Sequence, residues 1–123
     1  MYEVKIITQF SAAHRLENFR GKCEALHGHN WKVEVFLTGD RLDRTGLLMD
    51  FGVVKARTRE LLEEFDHKFL NELPAFSEQN PSSENLARYL FHHLAAALNG
   101  DGVQVSRVSV WESDTSCASY FQD

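Results

Sequence analysis

The chain has 123 residues, of which 43% are hydrophobic and 25% charged, so it can bury one core but is too short for two. Its formal net charge of −5 argues against a nucleic-acid-binding protein, because such proteins usually carry a basic excess on one face. No apolar run approaches the ~20 residues that cross a bilayer, and Met1 to Gln9 lacks the apolar core of a signal peptide. We therefore expect a cytosolic protein with no membrane partner and a single domain over residues 1–123.

The first half of the chain is predicted to form two strands and a helix. Val, Ile and Phe are frequent from Tyr2 to Ala13, as in a strand, and apolar and polar side chains alternate from Trp31 to Thr38. Leu47 to Met49 is expected to continue the sheet. Asp50 is a candidate N-cap for the helix that follows. The residues at helical spacing in that helix are Val54, Thr58, Leu61, Leu62 and Phe65.

The second half is predicted to form one more helix and two strands. The helix begins with Ser82 or Ser83 as its N-cap. In the strand Val103 to Trp111 the apolar phase slips by one residue, which indicates a β-bulge. Ser116 to Phe121 is predicted as the last strand. The predicted buried stripe of the helix is Leu86, Leu90, Leu94, Ala97 and Leu98.

This order of elements, ββααββ, predicts an α+β fold in which two helices cover one face of a four-stranded antiparallel sheet. Such a sheet has exposed edges, and its second face carries apolar side chains that the single chain leaves uncovered. Edge-to-edge assembly of several subunits would cover both. We therefore expect a homo-oligomer.

His14, His27 and His29 form the strongest candidate site. Side chains two residues apart in an extended chain point to the same side, so His27 and His29 can bind one ion together. A hairpin would place His14, at the end of the first strand, beside them. Three neutral imidazoles with one open position are typical of a catalytic zinc site. The alternative is that His27 and His29 are loop residues and that His14 packs in the sheet.

Cys23 lies four residues before His27. A thiol beside a metal ion is well placed to become a thiolate and to act as base or nucleophile. It would otherwise be a fourth zinc ligand or an inert small hydrophobic residue. The only other cysteine is Cys117, and we expect both to stay reduced.

Two acidic residues are further candidates. Asp66 precedes His67, and a carboxylate that orients a histidine beside a thiol has the logic of a catalytic triad. Glu112 follows an apolar strand and is suited to accept paired hydrogen bonds from an amino-pyrimidine ring. The alternatives are that Asp66 and His67 are surface residues and that Glu112 is a solvated strand end.

Together these motifs resemble the family of six-pyruvoyl and six-carboxytetrahydropterin synthases over essentially the whole chain. The matching segments are Phe10-Ser-Ala-Ala-His14-Arg15, Cys23-Glu-Ala-Leu-His27-Gly-His29-Asn30, Met49-Asp50-Phe51, Asp66-His67, Asn80-Pro-Ser-Ser-Glu84-Asn85 and Glu112. One departure is Ser83, where the family more often has threonine, although a hydroxyl remains.

The resemblance implies the T-fold, in which trimers close a β-barrel and pair into hexamers with sites between subunits. The residue roles it implies are zinc binding by His14, His27 and His29, a catalytic triad of Cys23, Asp66 and His67, and substrate binding by Glu112, as anchor of the pterin ring, with Ser83 and Glu84.

The short spacing between Cys23 and His27 is similar to that of the bacterial carboxy-forming branch, whereas the animal pyruvoyl-forming enzymes carry a longer insert. That branch implies conversion of 7,8-dihydroneopterin triphosphate to 6-carboxytetrahydropterin, with release of acetaldehyde and triphosphate, in queuosine biosynthesis. Arg15, Arg20 and Lys22 are the basic residues nearest the motif that could meet the triphosphate.

Three other functions stay open. One is formation of the 6-pyruvoyl product. A second is cleavage of the dihydroneopterin side chain for folate synthesis, because Glu24 occupies the position at which a third branch has a glutamate in place of the cysteine. The third is a zinc-dependent pterin-binding protein without turnover, whose metal would have four protein ligands.

Overall fold

The computed structural model describes residues 1–18, 21 and 23–122. These residues form a five-stranded mixed sheet and two α-helices, which confirms the α+β class. The elements are β1 (Tyr2–His14), β2 (His27–Gly39), α1 (Phe51–Leu62), β3 (Lys68–Phe69), two 3₁₀ turns (Leu70–Glu72 and Pro74–Phe76), α2 (Ser83–Leu98), β4 (Val103–Ser113) and β5 (Ser116–Phe121).

The sheet has the order β3-β1-β2-β4-β5, so the prediction of four antiparallel strands is wrong by one short parallel strand. The extra strand forms because the chain after α1 meets the free edge of β1. The N–H of Ser11 donates to Asp66 Oδ1 at 2.9 Å, and the carbonyl of Ser11 accepts the N–H of His67 at 2.6 Å. A strand of two residues is too short to leave an alternating pattern in the sequence.

Leu47 to Met49 does not continue the sheet, contrary to the prediction. The N–H of Asp43 donates to the carbonyl of Leu47 at 2.8 Å, and Asp43 Oδ1 accepts the N–H of Leu47 at 3.0 Å. This local side-chain bonding closes a compact loop and uses the groups that a strand would need. Leu48 is nevertheless buried, and it packs so close to Gly39 that a Cβ there would lie 2.6 Å from Leu48 Cδ1.

The phase slip in β4 is a β-bulge, as predicted. Phe36 of β2 pairs with Arg107, whereas Leu37 pairs with Val105, so Ser106 is the extra residue. The bulge returns Val105 to the buried face of the sheet, where it is 3% exposed.

α1 and α2 cover one face of the sheet and enclose the core. The alternation predicted for β2 is confirmed, because its odd-numbered residues from Trp31 to Leu37 are fully buried. The side chains of Asp50 and Ser82 cap the two helices, also as predicted. In the stripe predicted for α2, Ala97 is exposed, and Phe91 is buried instead. No helix in the described part of the chain combines the length and apolarity needed to cross a membrane.

The opposite face of the sheet, here called the outer face, carries no helix among the described residues. Ile7 on β1 and Phe121 on β5 are each 51% exposed there. β5 pairs only with β4, and β1 has a free edge along most of its length. These features agree with the expected assembly of several subunits, which stays a prediction.

A charged network occupies the centre of the outer face. The carboxylate of Glu34 accepts a hydrogen bond from the indole N–H of Trp111 and pairs with Lys5 Nζ at 3.1 Å. The ammonium of Lys32 lies 4.2 Å from the centre of the Trp111 ring. Burial raises the pKa of Glu34, but the bonds from Trp111 and Lys5 and the charges of both lysines outweigh it, so this pKa lies below its ordinary value.

Glu34→Gln should destabilise the fold by about 1–3 kcal/mol at neutral pH, because a neutral amide loses the ion pair with Lys5 and is a weaker acceptor for the indole N–H of Trp111. A carboxylate with a lowered pKa stabilises the fold above its unfolded pKa and loses that contribution as the pH falls through its folded pKa. The difference in unfolding free energy between the two proteins should therefore shrink as the pH falls below the ordinary value of 4.5. Urea unfolding of both proteins across this range measures it, and a difference independent of pH would contradict the assignment.

Candidate functional site

Three histidines meet at one end of the sheet. His14, the last residue of β1, pairs with His27, the first residue of β2, and His29 follows on the same face. The ring centroids are 4.6 Å apart for His14 and His27, 5.1 Å for His14 and His29, and 4.8 Å for His27 and His29. The structure thus brings together the three residues that the sequence singles out.

Backbone carbonyls orient two of the rings. Nδ1 of His14 lies 2.8 Å from the carbonyl oxygen of Pro81, and Nδ1 of His27 lies 2.9 Å from that of Ala25. Because a carbonyl only accepts, each Nδ1 is the protonated nitrogen, and each ring presents a lone pair on Nε2 in its neutral form. These two Nε2 atoms are 3.1 Å apart. Lone pairs at this distance repel each other unless a cation lies near both, so the geometry fits a metal ion.

His29 supplies a second observation that fits a metal ion. Its Nε2 atom is buried, and although Glu112 Oε1 lies 2.9 Å away, the atom makes no hydrogen bond of regular geometry within the described residues. Burial is the main cause that lowers the pKa of His29, and the neighbouring His14 and His27 act in the same direction, while Glu112 opposes them. The neutral imidazole that these effects favour is the form that binds a metal ion.

Glu112 is the fourth member of this group. Its Oε1 atom lies 2.9 Å from Nε2 of His29, 3.3 Å from Nε2 of His14 and 3.9 Å from Nε2 of His27. The ligand atoms of all four side chains lie within 4.8 Å of one another. Three imidazoles and one carboxylate are ligands that suit zinc and other divalent transition metals. The group can therefore hold a metal ion, either with four protein ligands or with three after Glu112 withdraws.

The sequence analysis assigns Glu112 to a contact with the pterin ring. It does not predict that Glu112 lies among the histidines. The signal lies in the pairing of strands: Lys32 of β2 pairs with Trp111 of β4, so the next residue of β4 lies beside the histidine end of β2. Alternation along β4 also puts Glu112 on the face of the buried Val110. The predicted contact with the pterin ring stays a prediction.

Asp66 and His67 lie against the edge of β1 that does not pair with β2. Oδ2 of Asp66 is 3.1 Å from Nδ1 of His67. The pKa of Asp66 is lowered mainly by the N–H of Ser11, and a hydrogen bond from His67 adds to this against the effect of burial, so the carboxylate stays ionised. His67 has a φ of +60°, which turns the chain back toward β1 after α1 ends at Leu62.

One groove lies beside this pair and extends to the end of β2 that carries His29. It has a volume of about 580 Å³ and is lined by both His29 and His67, with Ser11 and Asn30 between them. The hydroxyl of Ser11 donates to Asn30 Oδ1 at 2.7 Å. A molecule bound in the groove would therefore lie against His67 and beside the strand segment that carries His29.

Cys23 does not join this arrangement within the described part of one chain. Its thiol is exposed, and no hydrogen bond or ion pair among the described residues links it to Asp66 or His67. The predicted triad is therefore not assembled by these residues alone. Its completion by a neighbouring subunit stays a prediction.

The other predicted site residues lie around the histidines or beyond the described residues. Ser83 and Glu84 form the first turn of α2. Arg15 follows β1, and its Nε is buried without a hydrogen bond among the described residues. Arg20 and Lys22 lie outside the described residues. The substrate contacts of all five residues stay predictions.

This chain is similar to known proteins in both sequence and structure. The family model for 6-pyruvoyl tetrahydropterin synthase matches residues 3–123. A Synechocystis protein named 6-carboxy-5,6,7,8-tetrahydropterin synthase is 39% identical over 118 residues, which cover 91% of this chain and 87% of the relative. A Pyrococcus furiosus protein named dihydroneopterin monophosphate aldolase is 34% identical over 107 residues, which cover 85% of this chain and 84% of the relative.

The fold matches a solved structure over nearly its full length. The 6-pyruvoyl tetrahydropterin synthase of Caenorhabditis elegans superposes with a TM-score of 0.86 at 24% identity, and the match covers 99% of this chain and 96% of that one. The T-fold is thereby confirmed. With the family model matched across almost every residue, the chain belongs to the 6-pyruvoyl tetrahydropterin synthase family.

Proposed function

We propose that this protein is a zinc-dependent 6-carboxy-5,6,7,8-tetrahydropterin synthase of queuosine biosynthesis. Its substrate is 7,8-dihydroneopterin triphosphate, and its products are 6-carboxytetrahydropterin, acetaldehyde and triphosphate. The observation that carries the proposal is the group of His14, His27, His29 and Glu112 beside a groove that also contains His67. The name of the Synechocystis relative supports this product.

The donor set favours zinc as the metal. Catalytic zinc is usually bound by imidazole nitrogens, alone or with a carboxylate, and keeps one coordination position open. A bound zinc ion would supply Lewis-acid chemistry at the oxygens of the substrate side chain. The carbonyls of Pro81 and Ala25 hold the rings of His14 and His27, so two of the ligands are oriented before any ion binds.

Cys23, Asp66 and His67 are the residues proposed to move protons. Nδ1 of His67 faces Asp66, which leaves Nε2 as the atom that exchanges a proton with the thiol or with the substrate. The ionised carboxylate of Asp66 stabilises the imidazolium that forms. The His67 side chain is 81% exposed, so bound substrate or a neighbouring subunit must exclude water from it.

Glu112 has two successive partners in this proposal. Its side chain is 37% exposed, so it can rotate away from the imidazoles without unpacking the core. Its carboxylate then accepts hydrogen bonds from the amino-pyrimidine edge of the pterin, where Ser83 and Glu84 at the start of α2 add polar contacts. Arrival of the substrate thus opens the fourth position of the histidine group.

Cleavage of the dihydroneopterin side chain is the second candidate. The name of the Pyrococcus furiosus relative supports it, and Glu24 would be the base. The carboxylate of Glu24 accepts the N–H of Leu16 at 2.9 Å, however, and this bond favours Cys23 as the catalytic group. The only observation that favours a pterin-binding protein without turnover is the closed group of four possible ligands. A 6-pyruvoyl product would be detected by mass analysis of the products formed from dihydroneopterin triphosphate.

Removing one imidazole should abolish metal binding. His27→Ala should lower the zinc content from about one ion per subunit to less than about a tenth, because one of three histidine ligands is lost. Metal analysis after dialysis measures the content. His92→Ala, which changes an exposed histidine of α2, is the matched control and should keep the ion. Full occupancy in His27→Ala would refute the ligand assignment.

Removing the thiol tests the proposed reaction directly. Cys23→Ala should lower formation of 6-carboxytetrahydropterin by about 10²–10⁴-fold and leave the metal content unchanged, because a positioned proton-transfer group contributes about this much to the rate. Mass analysis of the products from dihydroneopterin triphosphate checks it. Cys117→Ala, which removes the other exposed thiol, is the control. A Cys23→Ala enzyme that forms the product at the normal rate would rule the mechanism out.

Mixing two inactive variants tests whether the site is shared between subunits. Co-refolded Cys23→Ala and Asp66→Ala subunits should regain a measurable part of the activity, because some sites then combine an intact Cys23 with an intact Asp66. Mixtures of Cys23→Ala with Cys23→Ser cannot do so and serve as the control. If oligomers shown to be mixed stay inactive, the site lies within one subunit.

A further inference from the structure

The chain immediately after β1 is held by side chains instead of a neighbouring strand. At Arg15, Oδ1 of Asn71 accepts the backbone N–H at 3.0 Å, and Nδ2 of the same amide donates to the backbone carbonyl at 2.8 Å. An amide side chain that bonds both groups of one residue reproduces the pairing that a strand would make.

Asn80 bonds Glu17 in the same way. Its Oδ1 accepts the N–H of Glu17 at 2.8 Å, and its Nδ2 donates to the carbonyl of Glu17 at 2.9 Å. Asn80 is itself fixed, because its own carbonyl accepts from Nδ2 of Asn85 on α2 at 2.8 Å. The next residue, Pro81, holds the ring of His14 through its carbonyl. Glu17 and the metal-binding histidine are therefore anchored to one short segment.

Glu24 completes the pattern at Leu16. Its Oε1 accepts the N–H of Leu16 at 2.9 Å, and its own N–H donates to the carbonyl of Leu16 at the same distance. The side chains of Asn71, Asn80 and Glu24, here called the clamp, thus form hydrogen bonds with backbone groups of three successive residues. Glu24 also closes the loop that carries Cys23, since the two residues are adjacent.

We propose that the clamp residues are positioning residues for Cys23. They hold residues 15–17 and Glu24 at a fixed place relative to His14, so that the thiol of the adjacent Cys23 is presented to the groove or to the neighbouring subunit in one geometry. The inference rests on the proposed function, in which Cys23 is the catalytic thiol. Glu24 then acts through its acceptor oxygen and not as a base. Misplacement of a reacting group by about 1 Å can cost ~10²-fold in rate, so a loose loop would show in turnover.

Two substitutions of Glu24 separate positioning from proton transfer. Glutamine keeps the length and the acceptor oxygen for Leu16 N–H but cannot act as a base, whereas alanine loses both functions. Glu24→Gln should keep kcat within about threefold of the wild type, and Glu24→Ala should lower kcat by about 10–10²-fold with KM and metal content nearly unchanged. Equal inactivity of both variants would assign Glu24 as a base and overturn the proposal, as would full activity of both.

Asn71→Ala and Asn80→Ala extend the test to the amides and should show the same loss of kcat. Asn99→Ala is the matched control, because it removes an amide that accepts a backbone N–H, from Val105 at 2.7 Å, at the turn between α2 and β4. It should leave kcat unchanged. If Asn99→Ala lowers kcat as much as the clamp variants do, the effect is one of general stability and the proposal is wrong.

Hydrogen exchange of the zinc-loaded protein without substrate tests the clamp independently of activity. Exchange at the amides of residues 15–17 should rise about fivefold to tenfold in Glu24→Ala and stay near the wild-type rate in Glu24→Gln, since one hydrogen bond is lost only in the former. A protein that makes no 6-carboxy product but shows this pattern would refute the proposed function and keep the clamp. Unchanged exchange in Glu24→Ala would refute the clamp itself.

Discussion

The pairing register of β1 and β2 is the constraint on which the rest of the site depends. It pairs His14 with His27 at one end and buries the side chains of Phe10 and Trp31 in the core further along the same two strands. The rings of Phe10 and Trp31 stack at 5.9 Å. Because side chains alternate across a strand, a slip of β2 by one residue would send His27 and His29 to the outer face, away from His14, and expose the indole. The apolar core therefore enforces the geometry of the histidines.

The entry to α2 supports the site from the other side. Asn80 holds the chain beyond β1, Pro81 orients the His14 ring through its carbonyl, and Ser82 caps the helix. Three consecutive residues thus stabilise the chain after β1, the histidine group and the helix in turn. A substitution in this segment would affect the chain after β1, the histidine group and α2. A polar motif at the start of a helix can therefore influence chemistry at residues far away in the sequence.

Much of this structure is predictable from local sequence signals. The alternation in β2, the caps Asp50 and Ser82 and the bulge in β4 each have a signature within a few residues. The histidine group is predictable because spacing and strand alternation are enough to bring its members together. What the sequence does not reveal depends on partners far along the chain: the approach of Glu112 needs the β2–β4 register, and β3 needs an edge of β1 to pair with. The prediction that Leu47 to Met49 continues the sheet is wrong for another reason, because the side chain of Asp43 competes with the sheet for backbone groups.

Residues 15–26 connect β1 and β2 in the sequence, and the core already determines the relative position of these two strands. Loop closure entropy grows slowly with length, so added residues there cost little stability as long as β1 and β2 keep their pairing. Insertions would move the residues that the loop presents while leaving the three imidazoles where they are. A chain built on this hairpin can therefore change the residues presented beside the three imidazoles by a change in loop length, without rebuilding the fold.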